Sequence, residues 1–289
     1  MPEGPEIRRA ADKLKRVLEG RQALSVRFAK DRFPALQASS RRLSGRMIEA
    51  VEPRGKAILT RFAGGLTIYS HNQLYGEWAI YRGEAPASHL QTRLAISTAT
   101  HSAILYSASE IEVLKTALVH RHPYIAKLGL ELLDPDVTEA DVLAQVCAPR
   151  FAHRNLAGLL LDQSFLAGVG NYLRSDILFA ARLHPAARPA DLTPEQREAL
   201  ARVALRMTRQ SYRMRGITND PQLAKRLKAQ GMAFGEYRHW VFDRAGAPCH
   251  TCGQTIVRVD SGSRGLYLCE RCQPVHQTRV SPGNRQLSQ

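Results

Sequence analysis

With 289 residues, the chain is long enough to form two domains that each bury an adequate core. Its 41 lysines and arginines outnumber its 26 aspartates and glutamates. The net charge of +15 favours a polyanionic partner, nucleic acid ahead of a membrane surface, over a basic surface kept only for solubility. No apolar run approaches the ~20 residues of a membrane-spanning helix, and the N-terminus lacks the layout of a signal peptide, so we expect a cytoplasmic protein.

The N-terminal sequence MPEGP combines a candidate nucleophile with a candidate proton donor. Removal of Met1 would leave Pro2 as a free secondary amine beside the carboxyl group of Glu3. Because a free α-amino group has a pKa of roughly 8, part of it is unprotonated near neutral pH and can attack an electrophilic carbon such as that of a sugar aldehyde. The alternative interpretation is that Pro2 only begins the helix that follows.

The residues after Glu6 predict a helix and then a β-rich domain. Apolar residues recur at helical spacing from Ile7 to Leu18, and Gly20 is a typical C-terminal stop. Short, partly alternating runs then predict a β-sandwich or flattened barrel, with a second helix over residues 109–114. The predicted strands cover residues 24–28, 47–51, 57–62, 66–70, 77–81, 94–98 and 103–106.

The second half of the chain predicts a mainly helical domain. Helical segments are predicted within residues 133–149, 156–165, 171–183 and 193–216. Thr138 and Asp141 have the spacing of a capping box at the start of the first of these segments. The polar, basic stretch 217–235 predicts a mobile loop, and residues 276–289 predict a disordered tail.

Four of the five cysteines form two CxxC pairs with sixteen residues between them: Cys249, Cys252, Cys269 and Cys272. This spacing is typical of a zinc ribbon, and the lack of an export signal argues against the alternative of disulfides. Because four thiolates leave no open position for water, we expect one structural Zn²⁺ ion. Cys147 lies in a helical pattern, and we expect it to be a buried thiol.

Two further stretches are candidates for phosphate binding. In LAGVGN at residues 166–171, backbone N–H groups of a glycine-rich turn and the Asn171 amide could meet a phosphate. The alternative is a turn between two helices with Asn171 as N-cap. The sequence SGSRG at residues 261–265 predicts a hairpin tip that presents Arg264 for a bidentate phosphate contact, with an ordinary exposed arginine as the alternative.

These stretches resemble one protein family, the formamidopyrimidine-DNA glycosylase and endonuclease VIII family. The resemblance rests on PEGPE at 2–6, RGK at 54–56, GVGNYLR at 168–174 and the CxxC ribbon that carries Arg264. The SHNQLYG sequence at 70–76 and the segments 2–12 and 159–174 are closer to the bacterial endonuclease VIII branch. The resemblance extends over nearly the whole chain up to Gln273.

The resemblance implies an α+β multidomain fold. An N-terminal helix would lie on a β-sandwich, followed by a helical helix-two-turn-helix domain and a C-terminal zinc ribbon. The implied domains are a catalytic β-sandwich domain at 1–132, a DNA-binding helix-two-turn-helix domain at 133–246, a zinc finger at 247–275 and a disordered tail at 276–289.

The resemblance also implies catalytic roles. Pro2 would attack C1′ of a damaged nucleotide and displace the base, leaving a Schiff base. Glu3 would protonate the opening sugar ring and carry protons through elimination, with Glu6 in support. Lys56 would approach the sugar and its phosphate from the sheet.

The implied DNA-binding residues hold the strand and fill the gap left by an everted nucleotide. Asn171 and Arg264 would bind the phosphates beside the lesion. Gln73, Leu74 and Tyr75 would enter the base stack, because a base must leave the duplex before an enzyme can act on it. Without the resemblance, we would interpret this stretch as a turn with Leu74 and Tyr75 in the core.

The function implied is a bifunctional DNA glycosylase and AP lyase of base excision repair. It would remove oxidised pyrimidines and nick the strand by β,δ-elimination, acting as a monomer on double-stranded DNA with damaged bases or abasic sites in the bacterial cytoplasm. A formamidopyrimidine-type enzyme for oxidised purines and a non-catalytic zinc-ribbon DNA-binding protein are the alternatives.

Overall fold

The computed structural model describes residues 2–84, 86, 91–262 and 264–275, so Met1 and the predicted tail lie outside the described residues. Its α-helices are α1 Gly4–Leu18, α2 Gln37–Leu43, α3 Glu139–Cys147, α4 Leu156–Leu159, α5 Asn171–Ala180, α6 Pro194–Arg213, α7 Pro221–Ala229 and α8 Phe234–Tyr237. Short 3₁₀ helices cover Pro34–Leu36, Thr116–Arg121, Ile125–Lys127, Pro149–Phe151 and Pro189–Asp191. Its strands are β1 Ser25–Phe28, β2 Ile48–Arg54, β3 Ala57–Phe62, β4 Leu66–His71, β5 Glu77–Arg82, β6 Thr92–Ser97, β7 His101–Tyr106, β8 Glu110–Lys115, β9 Leu130–Glu131, β10 Leu166–Ala167, β11 Val257–Ser261 and β12 Arg264–Leu268. None of the described helices is long and apolar enough to cross a membrane.

The predicted β-sandwich is confirmed as two four-stranded sheets that share a core with α1. One sheet has the strand order β1-β6-β7-β5 and the other β2-β3-β4-β8. Helix α1 buries one apolar face, which includes Ile7, Leu14 and Leu18, against side chains from both sheets such as Phe28 and Phe62. The sandwich therefore fixes the direction in which α1, and the N-terminal segment before it, leaves the domain.

The prediction of a second helix at residues 109–114 is wrong. Residues 110–115 form β8, which pairs antiparallel with β4 from Glu110 opposite His71 to Lys115 opposite Leu66. Polar and apolar residues alternate here, and a period of two is the pattern of a strand with one buried face.

The second domain is helical, as predicted, and α5 is buried along almost its whole length between α6 and β12. The predicted capping box of α3 is confirmed. The Thr138 hydroxyl accepts a hydrogen bond from the backbone N–H of Asp141 at 3.3 Å, and the Asp141 carboxylate accepts one from that of Thr138 at 2.8 Å. Cys147 is exposed rather than buried, because Val146 takes the inward position at the end of α3.

Two segments of the second domain differ from the predictions. Within residues 156–165 only α4 is helical, because the Asp162 carboxylate accepts the backbone N–H of Ser164 at 2.8 Å and turns the chain toward β10. Residues 217–235 are not a simple loop, since they contain α7 and the start of α8. Asp220 caps α7 by accepting the N–H of Leu223 at 2.8 Å.

Helices α1 and α6 join the two domains. The Arg9 guanidinium donates to the carbonyl oxygens of Ser211 at 2.8 Å and Tyr212 at 3.2 Å at the C-terminal end of α6, where the Ser211 carbonyl also accepts the N–H of Gly216 at 2.8 Å. The Tyr212 hydroxyl donates to Asp12 of α1 at 2.6 Å. These contacts hold the N-terminal segment against the helical domain.

Candidate active site

The N-terminal segment lies in a cleft where the sandwich, the helical domain and the β11–β12 hairpin meet. The cleft has a volume of about 810 Å³, which is within the range of ligand sites. Of the residues predicted from the sequence, those lining it are Pro2, Glu3, Glu6, Leu74, Tyr75, Asn171 and Arg264. Lys56 lies buried beside the cleft, and the side chain of Gln73 is turned away from it.

Glu3 is a buried carboxyl group, only 2% exposed, at the junction of two helix N-termini. It directly precedes α1, and its oxygens accept backbone N–H groups from the start of α5: Gly170 at 2.7 Å, Tyr172 at 2.8 Å and Leu173 at 3.3 Å. Burial raises the pKa of Glu3 to about 7, although Lys56 and these hydrogen bonds oppose the rise. A carboxyl group with this pKa can both give and take a proton near neutral pH.

The glycine-rich turn at residues 168–171 holds the N-terminal segment. Gly168 has a φ of +86°, its carbonyl accepts the N–H of Gly4 at 2.8 Å, and a Cβ on Gly4 would lie 3.0 Å from its Cα. A Cβ on Gly170 would overlap the carboxyl group of Glu3. Of the backbone N–H groups of this turn that could meet a phosphate, that of Gly170 donates to the Glu3 carboxylate and that of Gly168 donates to the Gln163 side chain at 3.0 Å.

Glu6 links the N-terminal segment to the helical domain. Its carboxylate accepts the backbone N–H of Glu3 at 3.1 Å, the Tyr172 hydroxyl at 3.0 Å and the Arg9 guanidinium at 2.5 Å. Glu6 therefore contacts Glu3 and the helical domain at once, and its supporting role in the chemistry stays a prediction.

Lys56 follows the Gly55 turn between β2 and β3, and its backbone N–H donates to the Tyr124 hydroxyl at 2.8 Å. Burial lowers the pKa of Lys56 to about 8; the negative charge of Glu3 opposes this shift, and Arg264 reinforces it. The Lys56 amine is thus within electrostatic reach of Glu3 on one side and Arg264 on the other.

Asn171 and Arg264 lie where α5 meets the hairpin. Asn171 is the first residue of α5 and Gly170 is its N-cap, so the interpretation of Asn171 as N-cap is wrong. Its amide nitrogen donates to the carbonyl of Gly265 at 2.9 Å, while its amide oxygen accepts from the buried Arg174. Arg264 is exposed at the start of β12 and faces the cleft.

The turn between β4 and β5 projects two large apolar side chains into solvent at the edge of the cleft. Leu74 is 52% exposed and Tyr75 is 77% exposed, so their alternative placement in the core is wrong. Gln73 has a φ of +52°, and its amide nitrogen donates to Glu110 at 2.6 Å. Gln73 is thus held by a hydrogen bond at the start of the turn, whereas the side chains of Leu74 and Tyr75 are exposed.

The four cysteines of the two CxxC pairs converge, and their Sγ atoms all lie within 4.8 Å of one another. The Cys249–Cys272 and Cys252–Cys269 Sγ distances are 3.9 and 3.5 Å, close to the ~3.8 Å that a tetrahedral ion with Zn–S bonds of ~2.3 Å requires. The cluster therefore fits one structural zinc ion with no open coordination position.

Comparison with known proteins agrees with this arrangement. Three family models match: the formamidopyrimidine-DNA glycosylase N-terminal domain at residues 1–107, its H2TH domain at 128–221, and a zinc finger found in FPG and IleRS at 246–275. Endonuclease 8 of Klebsiella pneumoniae strain 342 is 44% identical over 94% of this chain and 100% of its own length. The chain belongs to the formamidopyrimidine-DNA glycosylase family. Endonuclease 8 of Escherichia coli strain UMN026 is 43% identical over the same shares of the two chains.

Solved structures of the formamidopyrimidine-DNA glycosylase family have the same fold. Lactococcus lactis Fpg in complex with DNA containing an abasic site superposes with a TM-score of 0.77 at 19% identity, over 94% of this chain and 99% of that one. A complex of the same enzyme with DNA containing an oxidised pyrimidine gives a TM-score of 0.77 at 20% identity, over 94% and 100%.

In this member of the formamidopyrimidine-DNA glycosylase family, Arg238, His239 and Phe242 also line the cleft. Sequence reasoning missed them, because they follow a stretch interpreted as a mobile loop and match no short motif. The buried Asp176 of α5 holds this segment in place, and its one sequence signal is a carboxylate among the apolar residues of a predicted helix.

Proposed function

We propose that the protein is a bifunctional DNA glycosylase and AP lyase of base excision repair that removes oxidised pyrimidines. The observation that carries this proposal is the pairing of Pro2 with Glu3, a buried carboxyl group whose pKa is about 7, on one cleft. An amine nucleophile beside a group that can donate and accept a proton is what Schiff-base chemistry at a sugar requires.

In the glycosylase step, the Pro2 nitrogen would form a bond to C1′ while the bond from C1′ to the base breaks. The amine proton ends on the departing base. Glu3 would then donate its proton to the ring oxygen O4′, the C1′–O4′ bond would break, and an iminium ion would remain between Pro2 and C1′. Lys56, close to both Glu3 and Arg264, would balance the charge that develops.

In the lyase step, the iminium acts as an electron sink. The Glu3 carboxylate left by the first step would accept a proton from C2′, and the electron pair would expel the 3′ phosphate. The carboxyl group would pass this proton to solvent and, in a second elimination, accept the proton of C4′ as the 5′ phosphate leaves. Water would then release the sugar fragment from Pro2. One carboxyl group can serve in both directions because its pKa lies near neutrality.

The exposed groups around the cleft suit a flipped nucleotide. Arg264 would bind a phosphate beside the lesion, with Asn171 holding the hairpin that carries it. Leu74 and Tyr75 would fill the gap in the base stack, since both are exposed beside the cleft. We place this activity in the bacterial cytoplasm, on chromosomal DNA.

Single-turnover excision from duplexes containing thymine glycol or 8-oxoguanine tests the proposed lesion class. We expect thymine glycol to be removed at least about tenfold faster, in agreement with relatives named Endonuclease 8. A faster rate on 8-oxoguanine would favour the formamidopyrimidine-type alternative. Failure to cleave either duplex or abasic DNA would favour the non-catalytic zinc-ribbon protein.

A further inference from the structure

A buried carboxylate of α5 organises the segment that covers one side of the cleft. Asp176 is fully buried, and one of its oxygens accepts the backbone N–H groups of Val241 at 2.9 Å and Phe242 at 3.1 Å. Its other oxygen accepts the N–H of Trp240 at 3.2 Å and the hydroxyl of Thr218. The same oxygen lies 3.1 Å from Nδ1 of His239.

These contacts determine which ring nitrogen of His239 carries the proton. The Thr218 hydroxyl has one proton, for which the Asp176 carboxylate and, at 3.2 Å, the Arg238 carbonyl are the acceptors, so it must accept from Nδ1 of His239, which lies 2.8 Å away. The Asp176 oxygen near Nδ1 also requires a donor there. His239 in its neutral form is therefore the Nδ1–H tautomer, with a lone pair on Nε2.

His239 presents this lone pair next to an unpaired cation. The ring of His239 lines the cleft and stacks on Tyr172 with a centroid distance of 5.1 Å, and no described residue is hydrogen-bonded to Nε2. Arg238 lies over the rings of Phe234 and Tyr172, its Nε is buried, and no described residue accepts a hydrogen bond from its guanidinium. An acceptor and a donor thus both border the ring of Tyr172, whose backbone N–H donates to Glu3.

We propose that His239 and Arg238 read the edge of the extruded base and select lesions with an imide edge, those derived from thymine or uracil. This inference rests on the proposed function. The C4 carbonyl of such a base accepts from Arg238, and its N3–H donates to Nε2 of His239. A lesion derived from cytosine offers an amino group and a bare N3 in the same places, so both contacts become mismatched, and the buried His239 and the partly buried Arg238 lose their partners.

The matched substrates are 5-hydroxyuracil and 5-hydroxycytosine, which differ only at C4 and N3. In duplexes that are otherwise identical and at neutral pH, we expect the wild-type protein to excise 5-hydroxyuracil about tenfold faster or more under single-turnover conditions. His239→Phe keeps the ring but removes Nε2 and should bring the ratio of the two rates close to one. His120→Phe, on the exposed turn after β8 and outside the cleft, is the matched control and should keep the wild-type ratio.

Two more variants keep the test sharp if His239→Phe does not fold. Arg238→Met retains the packing on the two rings but removes the donors, and it should also lower the ratio toward one. Asp176→Asn places a donor against Nδ1, moves the ring proton to Nε2 and should shift the preference toward 5-hydroxycytosine. A purely structural role for Asp176 would lower both rates equally.

Equal wild-type rates on the two lesions, or a preference that survives both His239→Phe and Arg238→Met, would overturn the inference. An abasic duplex separates this failure from failure of the proposed function, because it has no base to read. A wild-type protein that cleaves abasic DNA but removes both lesions equally contradicts only the base-reading role. A wild-type protein that cleaves neither abasic DNA nor a lesion contradicts the proposed function itself.

Discussion

At the scale of single residues, the pairing of Pro2 and Glu3 acquires its chemistry from the fold. The sequence places the two side by side, but the raised pKa of Glu3 comes from burial against the start of α5, which is more than 160 residues away in the chain. Neither this burial nor the neighbouring Lys56 amine is visible in the N-terminal sequence. The sequence therefore predicts that Pro2 and Glu3 are neighbours, but it does not predict the protonation state of Glu3.

We expect Glu3→Gln to lower base excision about 100-fold or more, because the amide cannot donate a proton to O4′. Wild-type excision should also fall as the pH rises through about 7, since the acid form that donates the proton is present below the pKa of Glu3 and lost above it. Single-turnover rates measured from pH 5.5 to 9 check both points. Glu198→Gln, an exposed change on α6, is the control, and a Glu3→Gln profile identical to that of the wild type would contradict the assignment.

Gly170 should be intolerant of even one methyl group. Its backbone φ of −132° is open to any residue, but a Cβ would overlap the Glu3 carboxyl group, so Gly170→Ala must displace that group. We expect the free energy of unfolding in urea to fall by about 1–3 kcal/mol and base excision to fall with it. Gly235→Ala, where the space around a Cβ is open, should leave both unchanged. Normal activity in Gly170→Ala would show that Glu3 need not occupy its observed place.

At the scale of elements, local sequence patterns predicted the type of a helix or strand better than they predicted its position in the chain. The periodicity of α1, the alternation of most strands and the capping residue Thr138 were sufficient to predict these elements. The sequence of residues 217–235 was not sufficient, because Pro221, Gly231 and Gly235 suggested a loop. In the structure Pro221 is the first residue of α7, and tertiary contacts to Asp176 order the residues that follow. Because this segment was interpreted as a loop, the sequence did not reveal that Arg238 and His239 line the cleft.

The turn at residues 73–76 should matter for DNA and not for stability. Leu74→Ala and Tyr75→Ala remove exposed side chains, so the free energy of unfolding should stay within about 0.5 kcal/mol of the wild type. Excision from a duplex should fall about tenfold for each, because nothing then fills the stack, and excision of the same lesion from a single strand should change less. Leu24→Ala, which is also an exposed leucine at 56%, is the control. Duplex excision at the wild-type rate in both variants would contradict the wedge role.

The hairpin should depend on the zinc ion. The hairpin carries Arg264, and its Gly265 carbonyl accepts a hydrogen bond from Asn171. Removal of the metal with a chelator, or Cys252→Ser, should release this hairpin, so affinity for abasic DNA should fall about tenfold or more. Elemental analysis should give one zinc per wild-type chain. Cys147→Ser changes the exposed cysteine of α3 and should alter neither zinc content nor affinity. Full affinity in the metal-free protein would contradict the placement of Arg264 by the ion.

At the scale of the whole molecule, the site exists only because distant parts of the chain meet. Helix α1 of the sandwich contacts α6, the start of α5 donates hydrogen bonds to the Glu3 carboxyl group, and the hairpin brings Arg264 to the same cleft. The order of motifs indicated the family and so the catalytic candidates. The hydrogen bonds that connect them join residues far apart in sequence and follow from tertiary packing alone.

The central claim is that Pro2 forms a covalent bond with the sugar of damaged DNA. Borohydride reduction of the protein with a thymine glycol duplex should trap this bond, and mass spectrometry should locate the adduct on the Pro2 nitrogen after Met1 has been removed. Pro2→Ala should sharply reduce the yield, while Pro34→Ala, in the 3₁₀ turn after β1, should not. An adduct on another residue, or one formed at full yield by Pro2→Ala, would contradict the account.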